Sequence, residues 1–370
     1  MDESKLSPNY LIPSWPLVLT CPANLIHAAA HLAPIEYLAL ASHGLESGQM
    51  DSGSTEVLVD AGSFRLYNDG HVERLDGVDH VPAGFDADTG VTSKDVVIDA
   101  VTGVAARLYL PDIQAAAGRS DGTAITKLPI VVFFHGGYFI VGSAGSPRYH
   151  RYVNSLAARA RAIAVSVDYR LAPEHPLPAA YDDSWLTLNW AASGSADPWL
   201  SEHGDLGRVF LAGLSAGGNI AHNMAIDAGL TGLRAPARIE GAILLHPSFC
   251  GEQRMEAEAE EHWASVKKRW AVICPGARGG LDDPRMNPTA AGAPSLAALA
   301  CERMLVTAAS EDPRMPRDRA YYEAVVSSGW GGSVEWFVSE GEGHGFFIDE
   351  PGGSEAAALM ERVVGFVTRH

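Results

Sequence analysis

Gly213-Leu214-Ser215-Ala216-Gly217 sets a serine between two glycines, directly after the apolar run Val209–Ala212 and before the helical stretch Asn219–Ala228. A serine hydroxyl becomes a useful nucleophile when a neighbouring base takes its proton. That chemistry needs the hydroxyl exposed on a sharp strand-to-helix turn, where only glycines let neighbouring backbone come close. The start of the helix adds free amide N–H groups and the positive end of its dipole. The motif alone is weak, because a second match, Gly118-Arg119-Ser120-Asp121-Gly122, occurs in the same chain. Ser120 lies in a polar linker without a buried strand before it or a helix directly after it. Context therefore selects Ser215 as the nucleophile over the plain alternative of a helix-capping serine.

Three further groups complete an acyl-transfer constellation. His135-Gly136-Gly137-Tyr138 follows an apolar run and offers the backbone N–H groups of Gly136 and Gly137, which with that of Ala216 could hold an oxyanion. Each preorganised donor of this kind is worth about 3 kcal/mol in the transition state. His344 stands among glycines in Gly341-Glu342-Gly343-His344-Gly345, just past Val334–Val338. A loop at the carboxyl edge of a sheet is where ligand sites form, so His344 is the expected base. Met304–Ala308 leads into Ser310-Glu311-Asp312, which puts Asp312 where an acid could hold the imidazole tautomer. Glu311 and Asp318 compete for that role, but Asp318 falls within a helical pattern, where Arg317 or Arg319 would pair with it. The chain order Ser…Asp…His is that of the α/β-hydrolase fold.

These groups need a frame. Phe64–Asn68 and Val72–Leu75 flank Asp69-Gly70, and Lys94–Ile98 and Ala105–Leu110 flank Thr102-Gly103, so two hairpins are expected. Pro129 through Phe134 is too apolar for a half-buried strand and reads as a central one. Similar runs recur at Ala162–Val167, Val209–Ala212, Ala242–Leu245, Met304–Ala308 and Val334–Val338. Helical patterns near 147–161, 178–192, 216–228, 316–328 and 354–368 separate or follow them. This alternation predicts an α/β fold with a mostly parallel central sheet flanked by helices. Residues near 250–300, with a charged helix over Met255–Arg269, predict a helical cap. Residues 59–370 thus form the expected catalytic domain. Residues 1–58, rich in proline, alanine and serine, are expected to be an N-terminal extension, weakly ordered or lid-forming.

Composition narrows the function classes. The chain has 370 residues, 47% hydrophobic and 19% charged, as in a water-soluble globular enzyme. A formal net charge of -18 repels phosphate backbones and anionic membranes, so nucleic acid and membrane are not expected partners. The four cysteines, Cys21, Cys250, Cys274 and Cys301, form no CxxC pair, which argues against structural zinc or a redox dithiol. The apolar stretch Leu11 to Ala41 is interrupted by Pro13, Pro16, Pro22 and Pro34 and follows Asp2 and Glu3 without a basic n-region. On these grounds no signal or transit peptide is expected, and the expected compartment is the cytosol.

Beyond the motifs, Tyr67-Asn68-Asp69-Gly70-His71-Val72-Glu73-Arg74, Thr92-Ser93-Lys94-Asp95-Val96 and Asp168-Tyr169-Arg170-Leu171-Ala172-Pro173-Glu174-His175 resemble the plant carboxylesterase family. That family is related to hormone-sensitive lipase, and the resemblance runs from about Ser52 to the C-terminus. It implies hydrolysis of short-chain or aromatic carboxylic esters by a cytosolic enzyme without metal or other cofactor. It also places His135 beside the oxyanion loop, where His135 and Tyr138 are the candidate substrate-pocket residues. One departure is Leu214, where family members often carry Asp before the serine. The same scaffold includes a gibberellin receptor that has lost the catalytic histidine, hydroxyisoflavanone dehydratases, and the option of transacylation. His344 and Tyr138, where that receptor carries serine, favour an enzyme. Tyr138 and Phe139, with Trp263 and Trp270, serve an apolar substrate pocket or simple packing, and the sequence leaves both open, as it does oligomeric state.

Overall fold

The computed structural model describes residues 56–60, 62–113, 127–194 and 197–369. The extension expected over residues 1–58 lies outside them except for 56–58, and so do Cys21 and the second GxSxG match around Ser120. The boundary at residue 58 falls inside a strand, β1 (Val57–Asp60), which pairs antiparallel with β2 (Phe64–Tyr67). β2 pairs in turn with β3 (Val72–Arg74), giving the first expected hairpin a third strand.

The main sheet holds nine strands. Along the chain they are β4 (Phe85–Asp86), β5 (Val91–Asp99), β6 (Val104–Leu110), β7 (Leu128–Phe134), β8 (Ile163–Asp168), β9 (Gly204–Leu214), β10 (Ile239–Leu245), β11 (Arg303–Ala309) and β12 (Ser333–Ser339). Their spatial order is β12-β11-β10-β9-β7-β8-β6-β5-β4. From β8 to β12 the pairing is parallel, while β4, β5 and β6 add an antiparallel edge.

All seven residues of β7 are buried, as its unbroken apolar run requires of a strand covered on both faces. Its side chains alternate between two cores with the period of two that a pleated strand imposes. Ile130, Val132 and Phe134 join one core, and Val131 and Phe133 join the other. The first core is closed by α2 (Ala179–Ala192) and α4 (Ala216–Thr231), through Leu188, Ile220 and Met224. The second is closed by α1 (Pro147–Ala160) and by α8 (Ser354–Thr368), through Leu156, Leu359 and Phe366. A short α3 (Pro198–His203) precedes β9, starting at Asp197, whose carboxylate caps the Trp199 amide.

Register decides where the loops emerge. Phe134 pairs with Gly213, Leu214 with Leu245, Leu245 with Thr307, and Ala309 with Ser339. Five neighbouring strands therefore end level at one edge of the sheet, and the segments carrying His135, Ser215, His246, Asp312 and His344 leave from it.

In the expected cap region, α5 (Glu260–Ile273) is followed by two short 3-10 turns, Gly280–Asp282 and Leu296–Ala298. Both tryptophans there donate to backbone: Trp270 to the Gly280 carbonyl at 2.7 Å and Trp263 to that of Gly251 at 2.8 Å. Packing accounts for them. The remaining helices are α6 (Met315–Ser327) and the short α7 (Phe346–Asp349).

Candidate active site

Ser215 has φ 57° and ψ −115°, a strained conformation for a residue with a side chain, held between the end of β9 and the start of α4. Three backbone hydrogen bonds fix it: its N–H donates to the Leu245 carbonyl at 2.9 Å, and its carbonyl accepts from the Asn219 and Ser248 N–H groups, each at 3.0 Å. Gly217 makes the turn possible, because a β-carbon there would collide with the Phe134 carbonyl. The amide of Ala216 opens α4 beside the hydroxyl.

The loop after β7 passes close to this serine. A β-carbon on Gly136 would stand 3.0 Å from the Leu214 carbonyl oxygen and 3.4 Å from the Ser215 β-carbon. Gly137, Tyr138 and Phe139 follow with φ of 108°, 58° and 64°. Three successive left-handed residues explain why glycine stands first, and the turn closes on Gly137, whose carbonyl accepts from the Val141 N–H at 2.9 Å.

His344 and Asp312 meet as expected from the sequence. The His344 Nδ1–H donates to Asp312 Oδ2 at 2.5 Å, with the carboxylate fully buried and the imidazole 23% exposed. Burial alone would raise the Asp312 carboxyl. The hydrogen bond and charge of His344, together with Arg314, outweigh it and hold the group well below the usual carboxylate range. His344 moves down as well, because burial and the Arg314 charge outweigh the pull of Asp312, so the neutral base form is favoured.

A cleft of about 250 Å³ joins these parts, lined by Gly137, Tyr138, Leu214, Ser215, His344 and Gly345 together with Asp76, Arg148 and Asp349. Tyr138 is thus in the cleft, with the Arg269 guanidinium 4.6 Å and that of Arg314 5.8 Å from its ring centre. His135 goes elsewhere. It is fully buried and stacks on Tyr169 with ring centres 4.1 Å apart, while its Nδ1 lies 2.7 Å from the Gly136 carbonyl. It packs behind the loop that follows β7 and does not line the cleft, so the expectation that it is a pocket residue is corrected: its ring is taken up by the stack on Tyr169.

The expectation that Asp318 pairs with Arg317 or Arg319 is corrected. Residues adjacent on a helix point in different directions. Arg317 turns to Glu258 at 2.6 Å and Arg319 lies over the Trp336 ring, while Asp318 is fully buried with neither oxygen partnered among the described residues. Burial and the nearby Asp312 charge raise its carboxyl well above the usual range. Glu311 is exposed.

Two neighbours of the acid went unread in the sequence. Arg314 is buried, with its backbone N–H donating to Asp312 Oδ1 at 2.9 Å. His246 is buried too, 3.7 Å from Asp312 Oδ2. Its signal was positional: like Ser215, it directly follows a buried parallel strand. His246, Asp312 and His344 offer donor atoms within 4.8 Å of one another, a spacing a metal could use. Nδ1 of His344 is already engaged by Asp312, and Nδ1 of His246 accepts the Gly345 N–H at 3.2 Å, so the set is occupied by its own hydrogen bonds.

Residues 131–348 match a family model described as alpha/beta hydrolase fold. The chain belongs to that family. This alpha/beta hydrolase is 43% identical over 319 residues to tuliposide A-converting enzyme b1, amyloplastic, of Tulipa gesneriana, covering 84% of this chain and 80% of that one. It is 42% identical over 315 residues to a 2-hydroxyisoflavanone dehydratase of Glycyrrhiza echinata, covering 82% and 94%. Among solved structures, a hyperthermophilic esterase from Pyrobaculum calidifontis superposes with a TM-score of 0.61 at 26% identity, covering 75% and 85%. The resemblance to plant carboxylesterases therefore holds.

The cytosolic expectation does not. Relatives at this similarity carry names that place them in the amyloplast or, for tuliposide A-converting enzyme 2 of the same plant, the chloroplast. That expectation leaned on Asp2 and Glu3, yet no carboxylate follows until Glu36, and two acids at one end do not decide the character of such a segment. Among the described residues no helix is long and apolar enough to cross a membrane.

Proposed function

We propose that this alpha/beta hydrolase cleaves small carboxylic esters through a covalent acyl-enzyme. Ser215 is the nucleophile, His344 the base and Asp312 its orienting acid. Residues 59–370 act as the catalytic domain, with the segment near 250–300 as its cap. The observation that carries this reading is the 2.5 Å contact from His344 to the buried Asp312 carboxylate, beside a cleft that Ser215 also lines.

In this mechanism His344 takes the Ser215 proton as the oxygen attacks the ester carbonyl. The negative oxygen is received by the amides of Gly136, Gly137 and Ala216. The imidazolium, stabilised by Asp312, returns its proton to the leaving alcohol. Water then enters, loses a proton to His344 and attacks the acyl carbonyl; as the bond to the Ser215 oxygen breaks, His344 returns that proton to it and the free acid leaves. No metal or other cofactor takes part in these steps.

The test is turnover of p-nitrophenyl acetate and butyrate by the wild type, Ser215→Ala and His344→Ala. Each substitution should lower kcat by about 10⁴-fold or more while the far-UV spectrum stays unchanged. A folded wild type inert toward both esters would overturn the reading. The 42% identity to a 2-hydroxyisoflavanone dehydratase supports a second one, in which the same base and oxyanion loop promote loss of water. Incubation with a 2-hydroxyisoflavanone, followed by Ser215→Ala, separates the two.

A further inference from the structure

His246 pays two structural costs that an apolar side chain would avoid. It is fully buried with Nε2 unpartnered among the described residues, and its backbone sits at φ 44°, in the left-handed region. Burial, with the charges of His344 and Arg314 added, keeps its ring neutral and pushes its pKa down to about 3, against the opposing pull of Asp312. What these costs sustain is visible in its contacts. Nδ1 accepts the Gly345 N–H at 3.2 Å, which fixes the remaining proton on Nε2. The same nitrogen stands 3.7 Å from Asp312 Oδ2, and the ring centre lies 5.7 Å from that of His344 and 5.5 Å from that of Phe347. The backbone N–H of His246 donates to Thr307 at 3.1 Å, tying it to β11, the strand that leads to Asp312.

We propose that His246 is a positioning residue for His344: by accepting the amide that directly follows the base, it sets the peptide plane from which the imidazole projects, and so the alignment of His344 with Asp312 and Ser215. This rests on His344 being the base. Gly345, at φ 70°, adopts a conformation with little of its own to restrain it, so the peptide between the two residues needs an external anchor. The Phe347 ring packs on the same imidazole, which holds the following helix in the same arrangement.

The experiment compares His246→Asn with His246→Phe. Asparagine puts an oxygen where Nδ1 stood, accepts the same N–H and tolerates the left-handed backbone. Phenylalanine keeps the ring and its packing but has no acceptor. Asn should retain most of kcat, while Phe should lose about 100-fold in kcat with KM unchanged, the penalty of a misaligned catalytic group. The far-downfield proton signal of the His344–Asp312 hydrogen bond should persist in Asn and shift or vanish in Phe. If Phe does not fold, His246→Leu takes its place with the same expectation. A Phe or Leu variant that keeps wild-type kcat and an unmoved downfield signal overturns the proposal, as does an Asn variant that loses as much kcat as Phe. The proton signal needs no turnover, so an inert wild type would sink the esterase reading while this one is still decided.

Discussion

Leu214 and Gly345 pack against each other at the wall of the cleft: the Leu214 methyls come within 3.6 Å of where a β-carbon on Gly345 would stand. The position before Ser215 therefore looks onto the backbone beside His344. Relatives that carry a carboxylate there would add a negative charge near His344, and this chain adds none.

The pH profile should report that difference. With His344 held below its ordinary value near 6.5, kcat/KM of the wild type should begin to fall only below that pH, as the base becomes protonated. Leu214→Asp should favour the imidazolium and move the acid limb up by about 1 pH unit. Rates on p-nitrophenyl butyrate between pH 4 and 9 check both. Coincident profiles for the two proteins would show that position 214 exerts no field at the base.

Asp318 carries a different pH signature. Its carboxyl keeps a proton in the folded chain that the unfolded chain releases near pH 4. The folded state therefore binds more protons above that pH, and stability declines as pH rises toward the folded value. Asp318→Asn should remove this dependence. Its Tm should exceed that of the wild type at pH 8 by about 1–2 °C for each kcal/mol relieved, and the gap should close near pH 4. A gap of equal size at both pH values would mean the carboxyl is not protonated in the fold.

Arg148 bridges two carboxylates at the cleft, Asp76 at 2.5 Å and Asp349 at 3.3 Å. All three side chains are between 36% and 58% exposed, so the pairs add little to stability, within about 1 kcal/mol. Arg148→Met would leave two bare carboxylates facing the substrate. Turnover of an anionic ester such as monoethyl succinate should then fall more than that of neutral ethyl butyrate, and added salt should narrow the difference. Equal effects on both esters at low salt would rule out a charge role for this edge of the cleft.

The parts of the site that could be read in the sequence are those that short-range patterns encode. An apolar run of strand length followed by a glycine-flanked serine or histidine is a local signal, and it located Ser215, His344 and the β7 loop. Asp312 needed only one more strand. β1 carried no such signal, and its partner β2 is what orders it. His246 meets Gly345, 99 residues away, through a register of parallel strands that no periodicity displays. Asp318 was misread because its arginine neighbours in sequence are not its neighbours on the helix. The partner of each was set by the turn that leads into α5, which carries Glu258, and by β12, whose placement against α6 is a tertiary fact.

Two glycines offer a stability test of the elbow itself. Gly217 has no room for a β-carbon, since backbone oxygen of Phe134 fills the space. Gly365 lies exposed within α8 with nothing within 4 Å of the corresponding position. The same substitution should therefore have opposite signs. Gly217→Ala forces strand β7 and the turn apart and should destabilise by about 1–3 kcal/mol or more. Gly365→Ala only removes helix-interior glycine and should stabilise by about 0.5–1 kcal/mol. Denaturant midpoints of the two variants measure both, and esterase assay at a temperature where Gly217→Ala is folded adds the functional half. If the β7 loop must sit against the elbow for oxyanion binding, that variant should lose kcat even while folded. A Gly217→Ala protein with wild-type midpoint and turnover would show that the close approach of Phe134 to the turn is dispensable.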